Sequence, residues 1–522
     1  MSALDRILQS YRAAAVTERE KGTYFERLTL AYIKNDPVQT QQYSDAWSYA
    51  DWAKEQGWTG KDTGIDLVAK LADGTGYAAI QCKFYSPKHR IQKGDIDGFL
   101  SASAKAPFVL RVFIDTTEVD WGQNAEETIA NQSIPLIRIG LTALRESAID
   151  WSVFEASQEI KLQAKKQLRQ HQQQALDAVQ AGFGEHDRGK LIMACGTGKT
   201  FTALKIAEKL AGKGKRVLFL VPSLALISQT VREWTNDTET DLRSFAVCSD
   251  AQVGKRRKST NDVAEIDVHE LEFPATTDAA KLVQKAGTED AEKMTIVFST
   301  YQSIPTITAA QEQGLPAFDL IICDEAHRTT GARLEDEEDS NFIRVHDNKY
   351  VNGAKRLYMT ATPRIYGENA RAKAADASVE LCDMDDEALY GPTFFTRGFS
   401  WAVENGMLSD YKVVVLAMDE ALVSRTVQTR LAADNELKLD DATKIIGCYK
   451  ALLKQGGNDD FSVDANPMRR AIAFCKDIRS SKLIEREFGN VVNEFNGETV
   501  LEDDDSDHMT CEVKHVDGGF NA

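Results

Sequence analysis

The residues with the most chemical content are eight in a row, Met193-Ala-Cys-Gly-Thr-Gly-Lys-Thr200. Backbone amides of Gly196, Thr197, Gly198, Lys199 and Thr200 can converge on an anion with little steric hindrance, at the positive end of a following helix. Lys199 then neutralises the β and γ phosphates of a nucleotide such as ATP, and the Thr200 hydroxyl holds Mg2+. The strict form of the pattern begins with Gly, and Met193 stands in its place here. A second group lies earlier in the chain: Asp66 in Gly64-Ile-Asp66, and Gln81 with Lys83 in Gln81-Cys-Lys83. Hydrolysis of a phosphodiester needs an oxygen-ligated divalent metal and a cation near the developing charge. Asp66, the Gln81 side-chain carbonyl and a backbone carbonyl can hold Mg2+, Lys83 can orient the water, and Glu26 can add a second carboxylate. A third group is Asp324-Glu-Ala-His327, in which Asp324 binds Mg2+ through water and Glu325 polarises the attacking water.

These groups need elements to hold them. Residues 18–32 have helical spacing, with Tyr24, Phe25, Leu28 and Tyr32 on one face and Glu26 beside it. The runs 64–71 and 77–83 are β-type and flank Asp73-Gly-Thr-Gly76, which predicts a hairpin bringing Asp66 beside Gln81 and Lys83. Gln81 and Lys83 are two apart and share a face. A helix at 94–104 and strands at 108–115 and 134–139 continue this part. Residues 155–168 are polar and favour helix, which predicts a connecting helix. From 191 onward apolar strands and helices alternate, with strands at 191–195, 216–221, 294–298, 318–323 and 356–359, which indicates a parallel sheet covered on both faces. Ligands bind such sheets at the carboxyl ends of the strands, where the Lys199, Asp324 and Thr360 segments all fall. Further strands are expected at 413–418 and 471–475. The organisation predicted is 1–152, a 153–168 helical linker, 169–390 and 391–522.

A chain of 522 residues is too long for one core, and a hydrophobic content of 43% with 27% charged residues is that of a folded domain protein. No run approaches a membrane span, and the N-terminus has no signal-peptide core. Eight cysteines without Cys-x-x-Cys spacing, among them Cys82, Cys195 and Cys323, read as reduced, buried thiols in a cytoplasmic protein. The net charge of −18 is unevenly spread, with acidic runs at 335–339 and 502–505 and basic ones at 88–90 and 255–258, so it excludes no partner.

Gly-Thr-Gly-Lys-Thr200, Asp-Glu-Ala-His327 and Thr360-Ala-Thr-Pro363, in this order and each after an apolar strand, resemble the motif set of superfamily 2 helicases and translocases. The resemblance implies that Thr360 and Thr362 relay the nucleotide state, and that the neighbourhoods of Pro222, Thr300 and Gln302 line a nucleic-acid track. Leu168-Arg-Gln-His-Gln172 resembles the adenine-reading segment of that superfamily, with Gln172 as the matching amide. Gly64-Ile-Asp66 with Gln81-Cys-Lys83 resembles the Mrr-like branch of the restriction-endonuclease-like, PD-(D/E)xK, nucleases. The fold class implied is α/β: that nuclease domain, a RecA-like ATPase domain, and a partial second RecA-like domain.

Motif order and wording together look most like the N-terminal part of single-polypeptide type ISP restriction-modification enzymes. That resemblance implies ATP-driven translocation on double-stranded DNA and Mg2+-dependent cutting, with a methyltransferase and a target-recognition domain downstream. No Asn-Pro-Pro-Tyr is present, and the segment that supplies an arginine finger in this superfamily is missing, which reads as an N-terminal piece; Arg364 does not replace it. Two alternatives stand beside this one. A type I restriction motor subunit has the same domain order but usually carries Glu-x-Lys. A nucleotide-gated DNA-binding module, or a repair helicase, would not cut.

Overall fold

The structure is a computed structural model that describes residues 2–14, 17–58, 64–130, 132–248, 271, 275–333, 341–368, 380–410, 439–454, 468–475, 478–499 and 512–515. Described residues up to Ser409 form one compact unit, and those from Asp410 a second.

Among the described residues the first unit contains two large sheets and one small strand pair. In the N-terminal one, β1 (Tyr43–Ser48), β2 (Leu67–Leu71), β3 (Tyr77–Lys83), β4 (Phe108–Asp115) and β5 (Leu136–Ile139) lie in sequence order. The strands β1, β2 and β3 run antiparallel, whereas β3, β4 and β5 are parallel. Alternation along the strands divides the core. Leu67, Ala69, Ala78, Ile80 and Cys82 pack with Phe25, Leu28 and Tyr32 of helix Glu18–Asn35. Val68 and Ala79 face the other way, against Ile96 and Phe99 of helix Lys93–Ala102. Gln81 and Lys83 continue the alternation of Ala79 and so belong to this second face.

The larger sheet has eight strands, all parallel: β6 (Arg188–Met193), β7 (Arg216–Val221), β8 (Leu242–Val247), β9 (Ala275–Thr276), β10 (Met294–Thr300), β11 (Leu320–Cys323), β13 (Arg356–Thr360) and β15 (Thr393–Arg397). The spatial order is β15-β6-β13-β11-β7-β10-β8-β9, and a small pair, β12 (Gly331–Arg333) with β14 (Glu380–Cys382), stands apart. Both faces are apolar, as a helix-covered parallel sheet requires. On β7, Val217, Phe219 and Val221 enter one core with Phe201 and Trp234, while Leu218 and Leu220 enter the other with Ile304 and Tyr301.

Four expectations change. The 155–168 stretch is not a connecting helix: helix Trp151–Ser157 ends, and the chain runs extended to helix Gln170–Glu185. Tertiary hydrogen bonds override its helix propensity. The Gln163 N–H donates to the Ala148 carbonyl at 2.7 Å and the Lys166 N–H to Asp237 Oδ1 at 2.9 Å, while Lys166 Nζ lies 3.0 Å from Asp237 Oδ2. The strap thus ties the segment at Ala148 to helix Leu224–Asp237, against which Val38 also packs and where Gln41 Nε2 donates to Thr235 Oγ1 at 3.2 Å. Second, β15 pairs with β6, so the large sheet reaches past 390. Third, Cys195 is exposed, because β6 ends at Met193 and the loop has begun. Cys82 and Cys323 are buried as expected.

The fourth change is in the second unit, where helices Leu439–Leu452 and Ile478–Thr499 are described. Residues 471–475 pair with no strand among the described residues, and Ile472 and Phe474 are exposed. The strand expected at 413–418, the basic run 255–258 and the acidic runs 335–339 and 502–505 lie outside the described residues. Among the described residues no helix is long and apolar enough to cross a membrane.

Candidate nuclease and nucleotide sites

The hairpin brings Asp66, Gln81 and Lys83 together as the spacing predicts. Asp66 precedes β2, and its N–H donates to the Ile80 carbonyl at 3.0 Å. Its carboxylate is fixed by the Cys82 N–H, which donates to Oδ2 at 2.7 Å across the strand pair. Gln81 is buried, and its Nε2 donates to the Gly64 carbonyl at 3.2 Å. The Gln81 Oε1 atom is buried without a hydrogen-bond partner among the described residues. A buried amide oxygen left in that state costs about 1–3 kcal/mol unless something else meets it. An oxygen-seeking divalent cation held with Asp66 fits this donor set.

Glu26 is placed differently. Its helix covers the opposite face of the sheet, the face toward which Cys82 points. Burial pushes the Cys82 thiol well up, and the charges of Asp66 and Glu26 push it further. The charges of Asp66 and Glu26 thus both reach Cys82, while the helix of Glu26 covers the face of β3 opposite Gln81 and Lys83.

At the nucleotide site, Met193 is the last residue of β6 and fully buried, so it is a core residue and the loop proper starts at Ala194. Gly196 and Gly198 have φ of +76° and +86°, which lets the backbone turn its amides inward without a Cβ penalty. Gly198 caps helix Lys199–Leu210. Thr197 is buried, and its hydroxyl donates to the Ala194 carbonyl at 2.7 Å, closing the loop.

The carboxyl ends of β11 and β13 meet this loop. The charge of Lys199 acts on both Asp324 and His327. Burial, then the charge of Glu325, pushes the Asp324 carboxyl up to about 6. Its carbonyl accepts from the Tyr301 hydroxyl at 2.8 Å. Glu325 sits at φ +49°, a left-handed conformation costly for a residue with a Cβ and typical of functional turns. His327 Nδ1 lies 3.0 Å from Thr360 Oγ1 and 3.4 Å from Glu325 Oε2. Thr360 Oγ1 already donates to the Thr362 carbonyl and accepts the Thr362 N–H, both at 3.2 Å, so toward His327 it accepts and Nδ1 carries the proton. Burial lowers the His327 pKa, which keeps the ring in that neutral form.

Two expectations fare less well. Thr300 itself is fully buried with its hydroxyl paired to Ser303 at 2.8 Å, so in its neighbourhood this side chain is not the one exposed. Gln172 offers no open amide edge: Oε1 accepts from the Arg169 N–H at 2.8 Å, and Nε2 donates to the Thr197 and Gly198 carbonyls at 3.3 and 3.4 Å. Two residues that sequence reasoning missed also hold the loop. His171 Nε2 lies 2.9 Å from the Thr197 carbonyl, and Trp234 Nε1 donates to the Thr200 carbonyl at 3.1 Å. Adjacency to Gln172 was the available signal for His171; Trp234 carried none.

Comparison with known proteins agrees with this division. The restriction endonuclease family model matches residues 34–161, beginning beyond Glu26, and that of the type III restriction enzyme, res subunit, matches residues 165–365. The type I restriction enzyme EcoAI endonuclease subunit of Escherichia coli is 24% identical in an alignment that covers 82% of this chain and 48% of that protein. The structure of the ATP-dependent type ISP restriction-modification enzyme LlaBIII bound to DNA aligns with a TM-score of 0.75 at 41% identity, covering 91% of this chain and 31% of that one. A nuclease-deletion mutant of the type ISP enzyme LlaGI, in complex with a DNA substrate mimic, aligns at 39% identity over 64% of this chain and 23% of that one, with a TM-score of 0.44. The chain thus spans about half of the E. coli subunit and about a third of LlaBIII. It joins a restriction-endonuclease domain to a superfamily 2 helicase-type ATPase domain, in the fold of the type ISP enzyme LlaBIII.

Proposed function

We propose that this chain is the nuclease and motor part of an ATP-dependent restriction enzyme, in which ATP hydrolysis drives translocation on double-stranded DNA and the N-terminal domain cuts phosphodiesters. The observation that carries the cutting half is the Gln81 Oε1, buried with no hydrogen-bond partner among the described residues, on the strand whose Cys82 N–H fixes the Asp66 carboxylate. A divalent metal such as Mg2+ held by these two residues would supply Lewis-acid polarisation of the scissile phosphate. The Cys82 N–H fixes the Asp66 carboxylate, and Lys83, on the same face of β3 as Gln81, orients the attacking water and offsets charge on the phosphate.

In the motor, the amides of 196–200 and the Lys199 ammonium hold the nucleotide phosphates. Thr200 and Asp324 are the residues that would hold its Mg2+. Glu325 polarises the water that attacks the γ-phosphate. The proton on His327 Nδ1, shared between Glu325 and Thr360, links that carboxylate to the turn at Thr362. This is a short path from hydrolysis to a DNA-facing loop. Phosphate contacts suit such movement, because they hold register without reading bases. Boundaries near 152 and 168, methyltransferase and target-recognition domains in the full polypeptide, and work in the cytoplasm, where free thiols stay reduced, complete the proposal. DNA-stimulated ATP hydrolysis by this chain, absent in Lys199→Ala, tests the motor; hydrolysis indifferent to DNA would refute it.

A further inference from the structure

Superfamily resemblance assigns the adenine to Gln172, yet the geometry gives that residue other work. Nε2 donates to the Thr197 and Gly198 carbonyls at 3.3 and 3.4 Å, and Oε1 takes the Arg169 N–H. An amide that reads adenine in two bonds needs one donor and one acceptor free, and Gln172 retains at most one acceptor lone pair. A Cβ at Gly198 would lie 2.3 Å from Nε2, so the amide is pressed against the phosphate loop itself.

A different segment closes the same side of the loop. Strand β15 runs parallel beside β6, and the Ala194 N–H donates to the Arg397 carbonyl at 2.9 Å. Arg397 places its guanidinium 4.8 Å from the Phe395 ring centre and 5.3 Å from that of Trp401, with Nη2 donating to Gln174 Oε1 at 3.3 Å. Its Nε–H is buried without an acceptor among the described residues. Trp401, half-buried, lies 5.4 Å from the His171 ring, and His171 in turn touches the Thr197 carbonyl. Leu408 comes within 3.2 Å of where a Cβ on Gly196 would be.

We infer that Trp401 and Arg397 form the wall against which the nucleotide base packs, and that Gln172 is a positioning residue for the phosphate loop. An indole face and a stacked guanidinium accept a purine through its π-face, and the spare Nε–H is a donor for a base or ribose acceptor. The inference rests on the reading of this domain as an ATPase. It also moves 393–408 from a second domain to the nucleotide site of the first.

Tripolyphosphate has the phosphates of ATP and no base, so it separates the two roles. Calorimetric titration of the full chain with Mg2+ and either ATP or tripolyphosphate should show Trp401→Ala weakening ATP roughly tenfold, the effect of losing one stacked base, with tripolyphosphate unchanged. Trp401→Phe should restore most of the ATP affinity. Gln172→Ala should weaken both ligands alike. Equal weakening of both ligands by Trp401→Ala, or of neither, would overturn the wall, as would a loss confined to ATP in Gln172→Ala. Lys199→Ala is the control for the underlying reading: if it binds both ligands as the wild type does, the nucleotide site itself is misplaced and the wall falls with it.

Discussion

Replacing Gln81 by Leu separates stability from activity. The leucine side chain is of similar size, and position 81 is only 6% exposed. The substitution removes one hydrogen bond to the Gly64 carbonyl, a net loss of about 0.5–1.5 kcal/mol. It also removes a buried acceptor that has no partner, a relief of about 1–3 kcal/mol. Without metal the variant should therefore lie between about 0.5 kcal/mol less and about 2.5 kcal/mol more stable than wild type, a rise of up to several degrees in the melting of a domain this size at the upper end, at roughly 2–4 °C per kcal/mol. Adding Mg2+ should raise the wild-type melting temperature by linkage and leave the variant where it was. Plasmid nicking should be lost in the variant. Gln81→Glu should behave inversely, less stable in EDTA because a second carboxylate is buried near Asp66, and recovered by Mg2+. Differential scanning fluorimetry in EDTA and in Mg2+, beside a nicking assay, reads all of this. A Leu variant that melts well below wild type in EDTA, or that still nicks, would refute the argument that the unpartnered oxygen is there for a metal.

Three further outcomes follow from the nucleotide site. Lys199→Ala should abolish ATP hydrolysis and spare metal-dependent nicking, checked by phosphate release and by plasmid relaxation on the same preparation. Asp324 has a folded pKa raised to about 6 against an ordinary 3.8, so the stability tied to its protonated form is fully present below pH about 4 and lost as pH rises through about 6. Asp324→Asn should thus be more stable than wild type at pH 7 without nucleotide, by on the order of 2–3 kcal/mol, and no more stable near pH 4. Denaturant titrations at the two pH values check this, and hydrolysis should be lost in the variant. Thr360→Val keeps the shape of a fully buried side chain but removes the acceptor for His327, so basal hydrolysis should persist while stimulation by DNA falls roughly tenfold, the size of one lost hydrogen bond.

Legibility in the sequence followed how local the determinant was. Strands such as β7 and β4 could be read to the residue, because alternation and apolar runs are local. Asp66 and Gln81 came together because one turn sets the register of a hairpin. What failed was decided at a distance. The 155–168 strap has helix-favouring composition, yet Asp237, some seventy residues on, claims its backbone. Gln172 has the side chain of an adenine reader, but the carbonyls of the loop it faces occupy its donors. Phe399 to Leu408 follows a strand like the opening of a new domain, and only the pairing of β15 with β6 shows that it stays with the old one. Residues 471–475 have strand composition without a neighbour to pair with among the described residues.

The central claim is that one chain carries a metal-dependent nuclease built on Asp66, Gln81 and Lys83 together with an ATP-driven motor. Its most direct test is incubation of supercoiled plasmid with this chain and Mg2+, with and without ATP, beside Asp66→Ala and Lys83→Ala. The account predicts nicking by the wild type and none by either variant, both of which keep DNA-stimulated ATP hydrolysis. Nicking by Asp66→Ala at the wild-type rate would contradict it.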